Sequence, residues 1–306
     1  MTNAMKILII GGSGFLSGTL ARLAMQQGHR VWAVTRGHRP IPSGVVPLIA
    51  DRKDAAGFEA AIATAGVDWD LAVDCIAFTP EDTAQDAAVL VNRAAHLVMI
   101  STDFVYDPSR RRFPQREDDA DFLSDGYGGK KRQAELALQK SAQPPLAWTV
   151  LRPGHIYGPG SQLGCLPAHG RDPQLLHRMV SGETLRLVGG GYFLQQPIFA
   201  PDLAQTILSL AGNPRTYGQI FNTAGPQMIE SRAYYRIIAD ILGVDLHIEE
   251  LRVGEWLAEH LESAPFLCHR IYDLTRLRES GACMPSTPLE AGLRQHVRAL
   301  LTPLAE

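Results

Sequence analysis

Near the start of the chain, Lys6-Ile-Leu-Ile-Ile10 runs into Gly11-Gly-Ser-Gly-Phe-Leu-Ser-Gly18 and then into Thr19-Leu-Ala-Arg-Leu-Ala-Met25. An apolar strand that turns through glycines directly into a helix is a βα turn of the kind that cradles a dinucleotide. Gly11 and Gly14 remove the Cβ atoms that would block a tight turn and a close approach of backbone to a pyrophosphate. The charge of that pyrophosphate would then rest at the positive end of the helix. The third small position of the pattern is Ser17, with Gly18 beside it. Glycines also simply make turns, and it is the strand before and the helix after that favour the nucleotide site.

With 306 residues the chain can bury one large or two unequal domains. A net charge of -3, with Lys and Arg spread along the chain, gives no clustered basic field of the sort a nucleic-acid surface needs. Arg110-Arg-Arg112 precedes the acidic stretch Glu117-Asp-Asp-Ala-Asp121, which reads as a solvated loop of balanced charge. The four cysteines, Cys75, Cys165, Cys268 and Cys283, have no metal-ligand spacing and read as reduced thiols, so no metal is expected. Neither a charged leader with an apolar stretch nor a membrane-spanning run is visible, so no membrane partner is expected and the cytoplasm is the expected compartment.

The first half alternates short apolar runs with helical patterns. Strands are expected at 6–10, 30–35, 46–50, 71–76, 97–101 and 147–152, and helices at 17–27, 58–65, 83–95 and 127–141. A further helix is expected at 201–211, a strand at 219–222 and a helix at 231–242. The alternation predicts an α/β fold, a doubly wound parallel (Rossmann) sheet with a smaller C-terminal substrate-binding region. Residues 1–160 with about 196–226 would form the first part, and about 161–195 with 227–306 the second.

Tyr127-Gly-Gly-Lys-Lys131 places a phenol and an ammonium four residues apart, on one face of a helix. Lys130 points about 100° away and reads as solvated. A free phenol titrates near ~10, and an adjacent ammonium favours the phenolate, so Tyr127 is a candidate general acid or base. Val98-Met-Ile-Ser-Thr-Asp-Phe-Val-Tyr106 ends an apolar strand in hydroxyl and carboxylate groups, at the edge where open α/β sheets bind ligands. Thr102 could hold a carbonyl oxygen there, while Ser101 faces the other way by strand alternation.

With these motifs in order, the chain resembles the extended short-chain dehydrogenase/reductases of the NAD-dependent epimerase/dehydratase superfamily, from the glycine turn to Gly218-Gln-Ile-Phe-Asn222. The resemblance implies a catalytic trio of Thr102, Tyr127 and Lys131. It implies an adenine contact at Asp51 in Ile49-Ala-Asp-Arg52, and Pro153 of Leu151-Arg-Pro-Gly-His-Ile-Tyr-Gly-Pro159 beside the nicotinamide ring. Ile198-Phe-Ala-Pro-Asp-Leu-Ala204 resembles the element that begins the returning helix. The expected cofactor contacts are Gly11, Gly14, Phe15, Leu16, Arg36, Asp51, Ala77, Lys131 and Pro153, and the expected substrate contacts are Asp103 and His155.

Ser101-Thr-Asp-Phe-Val-Tyr-Asp107 is most similar to the segment of the 4-keto-sugar reductases. Phe104 stands where the 4,6-dehydratases carry the glutamate that moves a proton at the neighbouring carbon, which disfavours dehydration. His155 stands where nucleotide-sugar epimerases often place an asparagine on the substrate pyrophosphate; the alternative for His155 is a packed polar residue. The glycine turn and Thr35-Arg-Gly37 also resemble an atypical branch related to chloroplast stem-loop RNA-binding proteins. The expected activity is reduction of a keto group on a sugar or sugar-nucleotide-like substrate. A sugar epimerase, or a non-catalytic sensor or RNA-binding protein, is the alternative. No acid lies between Gly28 and Ala50, where an NAD site usually holds one, and Arg36 stands there with Arg39 behind it. NADP is therefore the expected cofactor, with NAD the alternative. Extended members commonly pair as homodimers through the tyrosine helix, whereas atypical members need not.

Overall fold

The computed structural model describes residues 4–302. Its elements in order are β1 (Lys6–Ile10), α1 (Phe15–Gln26), β2 (Arg30–Thr35), β3 (Val46–Ile49), α2 (Ala55–Thr64), β4 (Leu71–Asp74), α3 (Pro80–Leu90), β5 (His96–Ile100), α4 (Gly126–Ser141) and β6 (Ala147–Pro153). There follow β7 (Ile156–Tyr157), α5 (Leu175–Val180), β8 (Leu185–Val188), β9 (Leu194–Gln195), β10 (Ile198–Phe199), α6 (Ala200–Ser209) and β11 (Gln219–Thr223). The chain closes with β12 (Ile229–Glu230), α7 (Ser231–Leu242), β13 (Ile248–Leu251), α8 (Val253–Glu259), α9 (Thr275–Glu279) and α10 (Leu289–Leu301).

Seven parallel strands form the central sheet in the order β11-β6-β5-β4-β1-β2-β3. Both faces are covered, which is why its inner strands read as continuous apolar runs. In β1, Ile7 and Ile9 join a core that includes Leu20 of α1 and Leu203 and Ile207 of α6. Leu8 and Ile10 point the other way, into a core with Phe58 of α2, Leu90 of α3 and Leu138 of α4. Strand order reverses between β1 and β4, and ligands of doubly wound sheets bind at that switch point.

Several boundaries differ from expectation, and two of them have a clear local cause. The third helix starts at Pro80, not residue 83, because Thr79 and Asp82 form a capping box: Thr79 Oγ1 accepts from the Asp82 amide at 3.3 Å and Asp82 Oδ2 accepts from the Thr79 amide at 3.0 Å. The strand expected at 71–76 ends at Asp74, whose Oδ1 accepts from the amides of Ile76 and Ala77 at 2.6 Å each and turns the chain. A third apolar cluster joins Tyr157, Leu166 and Leu187 to Tyr234, Tyr235, Ile238 and Leu293, drawing on both chain segments expected to form the smaller region. Residues 303–306 of that expectation lie outside the described residues.

Candidate active site

A cavity of about 720 Å³ runs from the glycine turn across the carboxyl ends of β1, β4, β5 and β6. At the turn, neighbouring side chains crowd the first two glycines. Gly11 has φ +87°, and a Cβ there would sit 2.3 Å from Cγ2 of Ile76. A Cβ on Gly12 would meet that of Ala33 at 2.4 Å. Ser17 replaces the third glycine of the pattern and uses its hydroxyl to brace the turn, accepting from the Gly14 amide at 2.9 Å and donating to the Gly11 carbonyl at 2.7 Å. The amides of Phe15 and Leu16 open α1 with no carbonyl one turn back to bond, and both residues line the cavity. This cradle fits a nucleotide pyrophosphate.

Of the other expected cofactor contacts, Pro153 and Lys131 line the same cavity. Ala77 is buried, and its carbonyl accepts from Lys131 Nζ at 2.7 Å. Arg36 is exposed just beyond β2 and lines neither this cavity nor a smaller one beside the turn. Asp51 is exposed, its carboxylate accepting from the Lys53 amide at 3.0 Å. Its neighbour Arg52 is the buried member of the pair, donating to Asp74 at 2.6 Å and Asp86 at 2.8 Å.

Thr102, Tyr127 and Lys131 line one cavity, brought together from the end of β5 and the first turns of α4. The close packing of α4 rests on glycine: a Cβ on Gly128 would lie 1.8 Å from the Phe104 carbonyl oxygen. Ser101, adjacent to Thr102, turns away and donates to buried Glu135 at 2.5 Å. Tyr127 remains open to the cavity, with 52% of its surface accessible.

The expectation that Lys131 lowers the Tyr127 pKa fails in this state. Partial burial and the charge of Asp103 raise the phenol above its usual value, opposed more weakly by Arg171 and the Thr102 hydroxyl. Lys131 instead donates to the carbonyls of Ala77 and Ile100, at 2.7 Å each. Burial lowers the pKa of its ammonium, against the pull of Asp74 and Glu135. An ammonium has three donors, so one N–H is left over.

Asp103 lies in the cavity wall with its carboxylate fully engaged. Arg270 donates Nε to Oδ2 at 2.8 Å and Nη2 to Oδ1 at 2.9 Å, Arg111 donates to Oδ2 at 3.2 Å, and the Tyr272 hydroxyl donates to Oδ2 at 2.5 Å. Burial pushes this carboxyl up, but the two guanidiniums outweigh it and hold the pKa below the ordinary value. The solvated reading of the 110–121 stretch therefore fails at Arg111 and Glu117, which are buried, and holds for Arg110 and Arg112, which stay exposed. His155 lines the cavity with its ring edge-on to Tyr234, and its Nε2 is buried without a partner. Burial, reinforced by Arg270 and Arg171, lowers its pKa to about 3, so it is neutral.

A model of the NAD dependent epimerase/dehydratase family matches residues 7–224. The chain belongs to that family. Among curated relatives, it is 27% identical over 239 residues to the chloroplast stem-loop binding protein of 41 kDa b of Arabidopsis thaliana, covering 73% of this chain and 60% of the relative. It is 24% identical over 290 residues to the 2'-dehydrokanamycin reductase of Streptomyces kanamyceticus, covering 89% and 78%. The fold matches that of a UDP-glucose 4-epimerase from Thermotoga maritima solved with UDP-glucose, at a TM-score of 0.77 and 18% identity over 97% of this chain and 99% of the other.

In this epimerase/dehydratase-family protein, the wall facing Tyr127 comes from segments without a recognisable motif. Gly164–Ala168, Arg171, Trp256, Phe266 and Arg270 all line the cavity. Phe104, which stands where dehydratases carry an acid, packs edge-on against Phe266 at 4.7 Å and against Tyr127 at 6.2 Å. Arg270 lies over the Phe104 ring at 4.8 Å. Sequence reasoning missed Arg111 and Arg270 because their partner, Asp103, is 8 and 167 residues away and no single helix or strand spans either interval. The one usable signal was the arginine density beside a strand-end carboxylate.

Proposed function

We propose that the protein is an NAD(P)-dependent reductase acting on a keto group of a sugar or sugar-like substrate. The observation that carries this reading is the meeting of Thr102, Tyr127 and Lys131 in one cavity with the glycine cradle. A nicotinamide cofactor bound there supplies the hydride. Gly11, Gly14, Phe15 and Leu16 would hold its pyrophosphate, and Pro153 would lie by its ring. Thr102 orients the carbonyl oxygen through its hydroxyl. Tyr127, whose phenol stays protonated at neutral pH, donates the proton that oxygen needs as it becomes an alkoxide. The remaining N–H of Lys131 would be free to hold the cofactor ribose, while its other two donors fix the side chain to the carbonyls of Ala77 and Ile100.

Phe104 stands where dehydratases carry their glutamate, and the neighbouring Asp103 carboxylate is taken up by Arg270, Arg111 and Tyr272, which argues against dehydration. The relative named for reducing 2'-dehydrokanamycin supports a ketone on a sugar ring as the reacting group. The test supplies NADPH and NADH with a panel of free and nucleotide-linked keto sugars and follows loss of reduced cofactor at 340 nm. Oxidation matching alcohol formed mole for mole supports the reductase. Interconversion of sugar epimers without net cofactor turnover would replace it by an epimerase. Cofactor binding with no turnover of any carbonyl, and salt-sensitive RNA binding, would replace it by a non-catalytic binder.

A further inference from the structure

Four consecutive backbone amides after β4 are held by two carboxylates. Asp74 Oδ1 accepts from the amides of Ile76 and Ala77 at 2.6 Å each, and Asp82 Oδ2 accepts from those of Phe78 and Thr79 at 2.8 and 3.0 Å. Arg52 spans both carboxylates: its Nη1 donates to Asp74 Oδ2 at 2.6 Å, and its Nε lies 3.2 Å from Asp82 Oδ1. Its Nη2 donates to the Asp82 carbonyl at 2.9 Å and to Asp86 Oδ1 at 2.8 Å. Only 8% of the Arg52 side chain is exposed and 1% of those of Asp74 and Asp86, so solvent screens these charges little. A planar fork bridges several carboxyl groups in a way that the point charge of an ammonium does not reproduce.

The segment fixed in this way touches each working part of the cavity. Ile76 packs against Gly11, with Cγ2 2.3 Å from where a Cβ there would be. The Ala77 carbonyl accepts from Lys131 Nζ at 2.7 Å, and the Phe78 ring stacks on that of Tyr127 at 5.5 Å. The helix that follows, α3, is itself tied to the helix of Tyr127 and Lys131, because Thr83 Oγ1 donates to the Ala134 carbonyl at 2.9 Å. Arg52 does not line the cavity. We propose that Arg52 is a positioning residue for the reaction: through Asp74 and Asp82 it fixes residues 76–79, and through the Ala77 carbonyl it sets where the Lys131 ammonium stands. With that segment loosened, Lys131 would keep only its bond to the Ile100 carbonyl, at 2.7 Å. This inference rests on Lys131 holding the cofactor, as proposed above, and its test separates the two.

The test is a double-mutant cycle read by calorimetric titration with NADP and NAD, which needs no turnover. Arg52→Met, similar in length and uncharged, should weaken the more tightly bound cofactor by about tenfold. In a Lys131→Met background the same change should cost less than about threefold, because residues that act as a unit do not lose their effects additively. Arg52→Lys should lose less than Arg52→Met, and it takes that variant's place in the cycle if circular dichroism shows Arg52→Met unfolded. With a ketone that the wild type reduces, kcat of the Arg52 variant should fall by at least about tenfold while KM for the ketone stays within about threefold, a split that simple loss of folded protein does not produce. Affinity losses equal in the two backgrounds, no loss in either, or an unchanged kcat would overturn the positioning role and leave the reductase reading intact. Wild-type cofactor binding without reduction of any carbonyl would overturn the reductase alone, since the affinity cycle stands without turnover. Failure of the wild type to bind either nucleotide would overturn both.

Discussion

Arg270 grips the carboxylate of Asp103 with two donors, at 2.8 and 2.9 Å, across 167 residues of sequence. The pair joins the end of β5, where the proposed catalytic threonine stands, to a C-terminal segment that also lines the cavity. Both side chains are buried, so neither charge can fall back on water if the other is removed.

Breaking this pair from one side should therefore be costly. Arg270→Ala leaves Asp103 with Arg111 and Tyr272 only, and removal of one partner from a buried ion pair typically costs about 3–5 kcal/mol. Denaturant unfolding should show a midpoint shift of that order, and Asp103→Ala should be comparably harmful. A loss under about 1 kcal/mol for both variants, the range of an exposed pair, would contradict the assignment.

Proton transfer is isolated by Tyr127→Phe, which removes one hydroxyl from the reacting centre and nothing from the nucleotide cradle. Turnover should fall by at least about a hundredfold with cofactor affinity nearly unchanged, the range for a lost general acid. Lys131→Ala should damage both, since its ammonium also ties the ends of β4 and β5. Rates and cofactor affinities of the two variants, measured side by side, decide this; near-wild-type turnover in Tyr127→Phe removes the phenol from the mechanism.

Stability should decline as the solution is acidified. His155 and His96 have folded pKa values lowered to about 3 and about 4, in both cases chiefly by burial, from an ordinary value of 6.5. A depressed folded pKa means that the unfolded chain binds protons first. The stability contributed by keeping these rings neutral is thus complete above about 6.5 and is lost as pH falls toward the folded values. Each ring can contribute a slope of up to about 1.4 kcal/mol per pH unit in that window. Unfolding curves at pH 7 and pH 5 should differ, and His155→Phe should narrow the difference. An identical pH dependence in that variant would show that His155 titrates normally.

Gly11→Ala should abolish nucleotide binding. The new methyl would meet Ile76 at 2.3 Å, and φ +87° disfavours any L side chain. Gly28 provides the control: its φ is +83°, but nothing lies within 4 Å of its would-be Cβ. Gly28→Ala should lose stability through backbone strain and keep nucleotide affinity. Equal nucleotide affinity in both variants would show that the close approach at the first glycine is not needed.

By itself, the sequence determined the features whose cause is local. The alternating apolar runs marked the strands of the sheet because a strand buried on both faces reads as a short apolar stretch. The glycines marked the turn because only backbone without Cβ fits there, and the four-residue spacing of Tyr127 and Lys131 placed them on one helical face. Tertiary structure alone decided what those groups do next. It sent the Lys131 donors to two carbonyls rather than to the phenol, buried Arg111 out of an otherwise exposed arginine run, and turned Asp103 from an open carboxylate into the centre of an ion cluster. It also assembled the cavity wall from 164–171 and 256–270, and set Arg22 against a loop nearly twenty residues away. Backbone sterics and side-chain periodicity act over a few residues and leave a readable pattern, whereas burial and charge pairing depend on which distant segments the packed core brings together.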